Sequence, residues 1–253
     1  MTALVGGYVL LCVALFFLQR SMVFPRPLPR ALTERLAKVV RIEGAMPTIA
    51  WHVPAGPGNV TVVRFHGNGT QLADEEWLAL ECKSRELGYF AIEFPGYGVA
   101  PGEPSQESVL AAAEAGVEWL EKNGVARDQM VLFGQSLGTA PAIHLAAKGY
   151  GRRVILATPY TSIGDIGARA FPFLPVRLLL RDNFPAGEWA AKVQQPTLVI
   201  HGTGDEVIPY DIGVALKEKL PNAFLTTVDG AGHNTLWDKQ ERLVGALRFG
   251  AFP

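Results

Sequence analysis

MVLFGQSLGTAPAIHLAAK, residues 130–148, is the stretch whose reading decides the fold. Met130 to Phe133 is apolar and strand-like, and Ala140 to Lys148 is an alanine-rich helical run. Between them lies Gly134-Gln135-Ser136-Leu137-Gly138, a G-x-S-x-G pattern in strand–turn–helix context. Such an elbow lifts a serine out of a sheet on a sharp, strained turn, and small residues on either side leave room for it. A serine hydroxyl is a weak nucleophile alone, so the pattern predicts a histidine base and an orienting acid further along.

Both are found in that order. His233 lies in Gly230-Ala231-Gly232-His233-Asn234, a glycine-rich turn between a late strand and the last helical run. His52, His144 and His201 are read as structural. Asp205 follows the Thr197–His201 strand in His201-Gly-Thr-Gly-Asp-Glu-Val-Ile-Pro209. Its expected role is to accept from the second ring nitrogen of His233 and to stabilise the imidazolium. Glu206 is the nearest competitor, and Asp229 a weaker one because it lies only four residues before the histidine. An oxyanion hole needs two backbone donors: Leu137, which follows the serine, and one from the loop His66-Gly67-Asn68-Gly69. By position Asn68 is the first choice there and Gly69 the second.

Outward from the elbow, strand-like and helix-like runs alternate. Strands are expected at Val39–Ile42, Thr48–Val53, Val60–Phe65, Tyr89–Phe94, Val154–Thr158, Thr197–His201 and Phe224–Val228. Helices are expected at Leu72–Leu87, Ser105–Lys122, Asp211–Leu220 and Thr235–Phe249, with a short helix or loop at Leu32–Lys38. This alternation implies an α/β fold, a mostly parallel sheet with helices on both faces. Pro159 to Ala191 breaks it with Phe171, Phe173, Leu174 and Leu178, and leaves from the edge where such sheets bind ligands. It reads as a small apolar lid (about 159–191), or as a surface helical segment. As a lid it suggests a hydrophobic acyl group.

The N-terminus is of another kind. No charged side chain occurs from Met1 to Gln19. A bilayer core of ~30 Å asks for roughly 20 helical residues, so residues 1–20 suffice as an anchor, with lipid contact through residues 3–19. A cleaved signal peptide would want a basic start and small residues where Phe16-Phe-Leu-Gln19 stands. A lipoprotein anchor on Cys12 would likewise want smaller residues than Leu10-Leu11, and a buried core helix would be apolar on one side only. Arg20, Arg26, Arg30 and Arg35 follow the span, which places the remaining domain on the cytoplasmic side. Pro25, Pro27 and Pro29 make residues 21–31 a stiff spacer before a catalytic domain of residues 32–253.

Bulk properties narrow the classes. The 253 residues carry 23 basic and 24 acidic side chains, so no electrostatic footprint for nucleic acid exists. No C-x-x-C or H-E-x-x-H spacing points to a metal, no cofactor motif is present, and Cys12 and Cys82 read as separate small apolar residues.

Over residues 40–250 the chain resembles the α/β-hydrolase superfamily, and more narrowly a branch of membrane-associated serine hydrolases. The resemblance is carried by Phe65-His-Gly-Asn-Gly69, Gly96-Tyr97-Gly98, Gly134-Gln-Ser-Leu-Gly-Thr139, Pro159-Tyr-Thr-Ser162, His201–Ile208 and Gly230–Asn234. It implies the α/β-hydrolase fold, the roles given above to Ser136, Asp205 and His233, and a place for Tyr97 on the substrate side. That branch includes eukaryotic protein depalmitoylases, which are acyl-protein thioesterases, and bacterial hydrolases with an N-terminal membrane segment. This chain departs from the depalmitoylases, which begin with a cysteine-rich, lipidated segment, and so resembles the bacterial type. The expected activity is that of a membrane-anchored serine hydrolase on carboxylic esters or thioesters. A peptidase or amidase on the same residues, or a non-catalytic tethered scaffold, are the alternatives.

Overall fold

The computed structural model describes residues 2–44 and 46–251. Eight strands form one sheet: β1 Lys38–Ile42, β2 Thr48–Val53, β3 Thr61–Phe65, β4 Gly88–Ile92, β5 Met130–Gln135, β6 Arg153–Ala157, β7 Thr197–Gly202 and β8 Ala223–Val228. Their order is β1-β2-β4-β3-β5-β6-β7-β8. β1 and β2 pair antiparallel, as do β2 and β4, and every later pairing is parallel. The mostly parallel sheet read from the alternation is therefore what the chain forms.

Helices pack on both faces: α2 Glu76–Ser84, α3 Gln106–Lys122, α4 Thr139–Ala147, α8 Tyr210–Lys219 and α9 Gln240–Ala251. The central strands β3, β4 and β5 are buried along their length, apart from half-buried Gln135 at the end of β5, because each face is covered. One apolar layer joins Phe90, Ile92 and Leu132 to Val109 and Val117 of α3 and Ile143 of α4. The other joins Val62, Tyr89 and Phe133 to Leu78 of α2 and Leu243 of α9. α3 begins at a reciprocal cap, in which Ser105 Oγ accepts from Ser108 N and Ser108 Oγ accepts from Ser105 N.

Two helices are shorter than their hydrophobic pattern predicts. Leu72–Leu87 splits into a tight turn at Leu72–Asp74 and α2, because Glu75 between them is drawn inward to Arg64. Thr235–Phe249 begins only at Gln240, because Thr235 is used in a turn: its Oγ1 accepts from Gly232 N, and its carbonyl accepts from Asp238 N.

The segment 159–191 holds three short helices, α5 Ile163–Ala170, α6 Val176–Leu179 and α7 Ala186–Ala190. Its first part stands over the carboxyl edge of the sheet, whereas Phe184, Ala186 and Ala190 at its end join the main core. The remaining helix, α1 Thr2–Val23, is exposed over much of its surface. Residues 21–31 do not hold α1 away from the domain as a stand-off spacer would. Phe24 is buried edge-on against Phe184, Arg30 N donates to Gln71 Oε1, and Gln71 Nε2 donates to the Leu28 carbonyl. Prolines leave carbonyls free to accept from the domain, so the extended segment lies on it instead.

Candidate active site

Ser136, Asn68, Asp205 and His233 each follow the carboxyl end of a parallel strand: β5, β3, β7 and β8. That common edge is where open α/β sheets place their ligands. Ser136 has φ +50°, a left-handed conformation rarely taken by a residue with a side chain. The turn holds because its flanks have no Cβ. A Cβ at Gly134 would collide with the Gly138 carbonyl, and one at Gly138 with the Phe65 carbonyl of β3. Thr139 Oγ1 donates to the Ser136 carbonyl at 2.7 Å and closes the turn.

His233 Nε2 lies 3.0 Å from Ser136 Oγ, and its Nδ1 lies 2.8 Å from Asp205 Oδ2. With a carboxylate accepting from Nδ1–H, Nε2 is left to accept the serine proton. Asp205 Oδ1 accepts from Val207 N at 2.9 Å and Ile208 N at 2.8 Å. Behind it, buried His201 approaches Oδ2 to 3.4 Å while its Nε2 donates to the Ile208 carbonyl at 2.9 Å. Burial by itself would raise the Asp205 carboxyl, but its bonds with His201, His233 and Ile208 N–H hold it well below the usual carboxylate range. The competing acids are elsewhere: Glu206 is exposed, and Asp229 Oδ1 accepts from Thr203 Oγ1. The acid loop reaches the base loop because Gly202 has no side chain to strike the Ala231 carbonyl, and Gly204 N donates to that same carbonyl at 3.0 Å.

The loop after β3 is fixed through the Asn68 side chain. Its Oδ1 accepts from Tyr97 Oη at 2.5 Å and from Gly69 N at 3.1 Å, and its Nδ2 donates to the Val23 carbonyl of α1 at 2.5 Å. The Asn68 N–H has no acceptor among the described residues, whereas the Gly69 N–H is taken up by the side chain. Tyr97 is fully buried and stands behind Asn68, off the cavity wall, so it does not lie on the substrate side as expected. Burial raises its phenol, which stays a donor to Asn68.

A cavity of about 690 Å³ opens beside Ser136, His233, Leu137 and Asn68. Phe171, Phe173 and Leu174 line it, but Leu178 does not and is 83% exposed. Val176 and Leu179 of α6 face the cavity, so Leu178 turns outward. The opposite wall was not foreseen: Leu11, Leu15, Gln19, Met22 and Val23 of α1 line the same space. Their spacing marks one helical face, a signal present in the sequence but masked because α1 is apolar all round. Tyr160, within the quoted Pro159–Ser162 stretch, is a further lining residue.

A second unforeseen group props the elbow from beneath. Arg64 of β3 is buried, donates to Glu75 Oε2 at 2.8 Å and Oε1 at 3.0 Å, and reaches Gln135 Oε1 at 2.8 Å. Trp237 Nε1 donates to the same Gln135 oxygen at 3.1 Å. Cys82 lies apart from the cavity, and burial pushes its thiol up to about 12.

Comparison with known proteins agrees with this fold. The family described as "alpha/beta hydrolase fold" matches residues 176–240, the part that carries Asp205 and His233. An uncharacterized protein of Mycobacterium tuberculosis is 33% identical over 205 residues, 78% of this chain and 71% of that protein. Alpha/beta hydrolase domain-containing protein 17C of Homo sapiens is 37% identical over 180 residues, 70% of this chain, and this chain spans only 53% of its length. Among solved structures, an esterase of Pyrococcus furiosus superposes with a TM-score of 0.71 at 17% identity, covering 90% of this chain and 98% of the other. A monoacylglycerol lipase of Paleococcus ferrophilus gives 0.62 at 18% identity, covering 79% and 97%. The strand order, the elbow and these relatives together place the chain in the α/β-hydrolase superfamily, to which it belongs.

Proposed function

We propose that this protein is a membrane-anchored serine hydrolase that cleaves carboxylic esters or thioesters through an acyl-enzyme. The observation that carries the reading is the unbroken chain Ser136 Oγ, His233, Asp205, with links of 3.0 and 2.8 Å, at the floor of an apolar cavity. Ser136 attacks the acyl carbon as His233 Nε2 takes its proton. The Leu137 and Asn68 amides receive the oxyanion, and Gly69 serves instead by holding the Asn68 side chain. His233 then gives its proton to the leaving oxygen or sulfur. Water attacks the acyl-enzyme by the same route in reverse, which frees the acid and restores Ser136. Asp205 stays ionised and keeps His233 in the tautomer that both halves require.

The names of the relatives support the substrate class: an esterase and a monoacylglycerol lipase share the fold. Leu4–Val23 has the length and apolarity of a membrane span, and its exposed face supports an anchor. Arginines downstream of it favour the cytoplasmic side for the domain. A fluorophosphonate probe tests the chemistry. Wild-type protein should be labelled and Ser136→Ala should not; equal labelling of the two would overturn the reading.

A further inference from the structure

α1 has a second relation to the site besides its apolarity. Leu11, Leu15, Met22 and Val23 form a stripe on one side of the helix and make the wall of the cavity opposite Phe171 and Leu174. The helix is held in that place by polar bonds that an anchor alone does not need. Tyr8 Oη donates to the Phe173 carbonyl at 2.8 Å, Gln19 Nε2 to the Leu179 carbonyl at 3.1 Å, and Arg181 N to Gln19 Oε1 at 2.7 Å. Arg20 Nε donates to buried Asp182 at 2.9 Å. Gln19, a polar residue in an apolar run, is thereby buried and bonded to backbone on both sides of α6's end.

The wall is long. From Leu11 to Val23 the helix rises about 18 Å at 1.5 Å per residue. Along that length the α1 side chains that meet the cavity are aliphatic except for Met22 and Gln19, and the Val23 end of the helix lies beside the loop of Asn68, whose Nδ2 donates to the Val23 carbonyl. Beside it Phe173, Met22 and Val207 are more than half exposed, an apolar rim next to a helix whose outer face is apolar too. An apolar space that follows about 18 Å of one helix face, with Ser136 and Asn68 beside its Val23 end, suits an extended acyl chain.

We propose that the Leu11–Leu15–Met22 face of α1 is the acyl-chain wall of the pocket and that Leu11 and Leu15 set the length of chain accepted, making long-chain acyl esters or thioesters of the bilayer the substrate class. This rests on the hydrolase reading above. The membrane segment is then part of the substrate site, and the acyl chain passes from lipid into the slot along a surface of the same helix. Each methylene buried there should raise kcat/KM about fourfold until the slot is filled.

The test uses the full chain in nanodiscs and compares kcat/KM for p-nitrophenyl myristate with that for the butyrate. Leu15→Trp, which fills the slot, should lower the myristate-to-butyrate ratio at least tenfold, and Leu15→Ala, which enlarges it, should raise that ratio. Leu10→Trp, on the far side of α1 where Leu10 is 70% exposed, should keep the wild-type ratio. Wild-type ratios in both Leu15 variants, with fluorophosphonate labelling of Ser136 intact, would overturn the wall while leaving the hydrolase reading in place. Labelling of wild type no stronger than of Ser136→Ala would overturn both. Should Leu15→Trp fail to fold, the opposite shift expected of Leu15→Ala still decides the matter.

Discussion

Ser136 sits at a φ of +50°, a strain of order 1–3 kcal/mol that a chain keeps only where its surroundings enforce it. Here two carbonyls enforce it by excluding any side chain at Gly134 or Gly138. The serine, the histidine and the acid were all legible from motif and order, because each sits in a short loop with its own local pattern. Tyr97, Leu178 and His201 were not, since which way a side chain turns depends on what packs behind it. The acid carries a prediction. Asp205→Asn should cut turnover on the order of 10⁴-fold by favouring the wrong His233 tautomer. Its folded pKa is depressed, so the carboxylate stabilises the native state above the unfolded value of about 3.9, and that contribution is lost as pH falls through the folded value. The gap in Tm between wild type and Asp205→Asn should be widest at neutral pH and begin to narrow as the pH falls below about 4. A gap constant from pH 7 to pH 3 would contradict the linkage.

At the level of elements, β3 departs from its own pattern. Val60–Phe65 reads as a strand buried on both faces, and so it is, yet it carries an arginine that is 1% exposed. Arg64 joins β3 to two further elements: α2, through Glu75 at its head, and β5, through Gln135 at the elbow and the ring of Phe133, 4.7 Å from the guanidinium carbon. Burying a charge is tolerable only with its partner, which explains why the predicted Leu72–Leu87 helix breaks where Glu75 turns in. Arg64→Met should therefore cost about 3–5 kcal/mol by leaving Glu75 buried and unpaired, and Arg64→Met/Glu75→Leu should recover a large part of that. Urea unfolding of the single and double variants measures the difference; a double variant as unstable as the single would show that Gln135 and the elbow, not Glu75, depend on the arginine.

Across the whole molecule, α1 and the segment 163–180 enclose one space with the sheet edge, and this joins the apolar first helix, the 163–180 segment and the loops of Ser136 and His233 in a single unit. Two lysines on the exposed side, Leu10→Lys/Val13→Lys, should each disfavour insertion by about 3 kcal/mol without touching the cavity wall. Alkaline carbonate washing should leave wild type in the membrane pellet and move the double variant to the supernatant; wild type in the supernatant would mean peripheral association only. The sequence by itself determined the sheet, the elbow, the order of the three side chains that meet at Ser136 and the apolar character of the first helix. These follow from local periodicity and from loop residues whose backbone needs are visible one motif at a time. Only the tertiary structure decided that α1 turns back onto the domain, that Gln19 and Arg20 tie it to the cover, and that Arg64 supports the elbow. A helix apolar on every side carries no mark of which face packs. A partner for a buried charge is chosen by distance in space, which neighbouring residues in the chain do not encode.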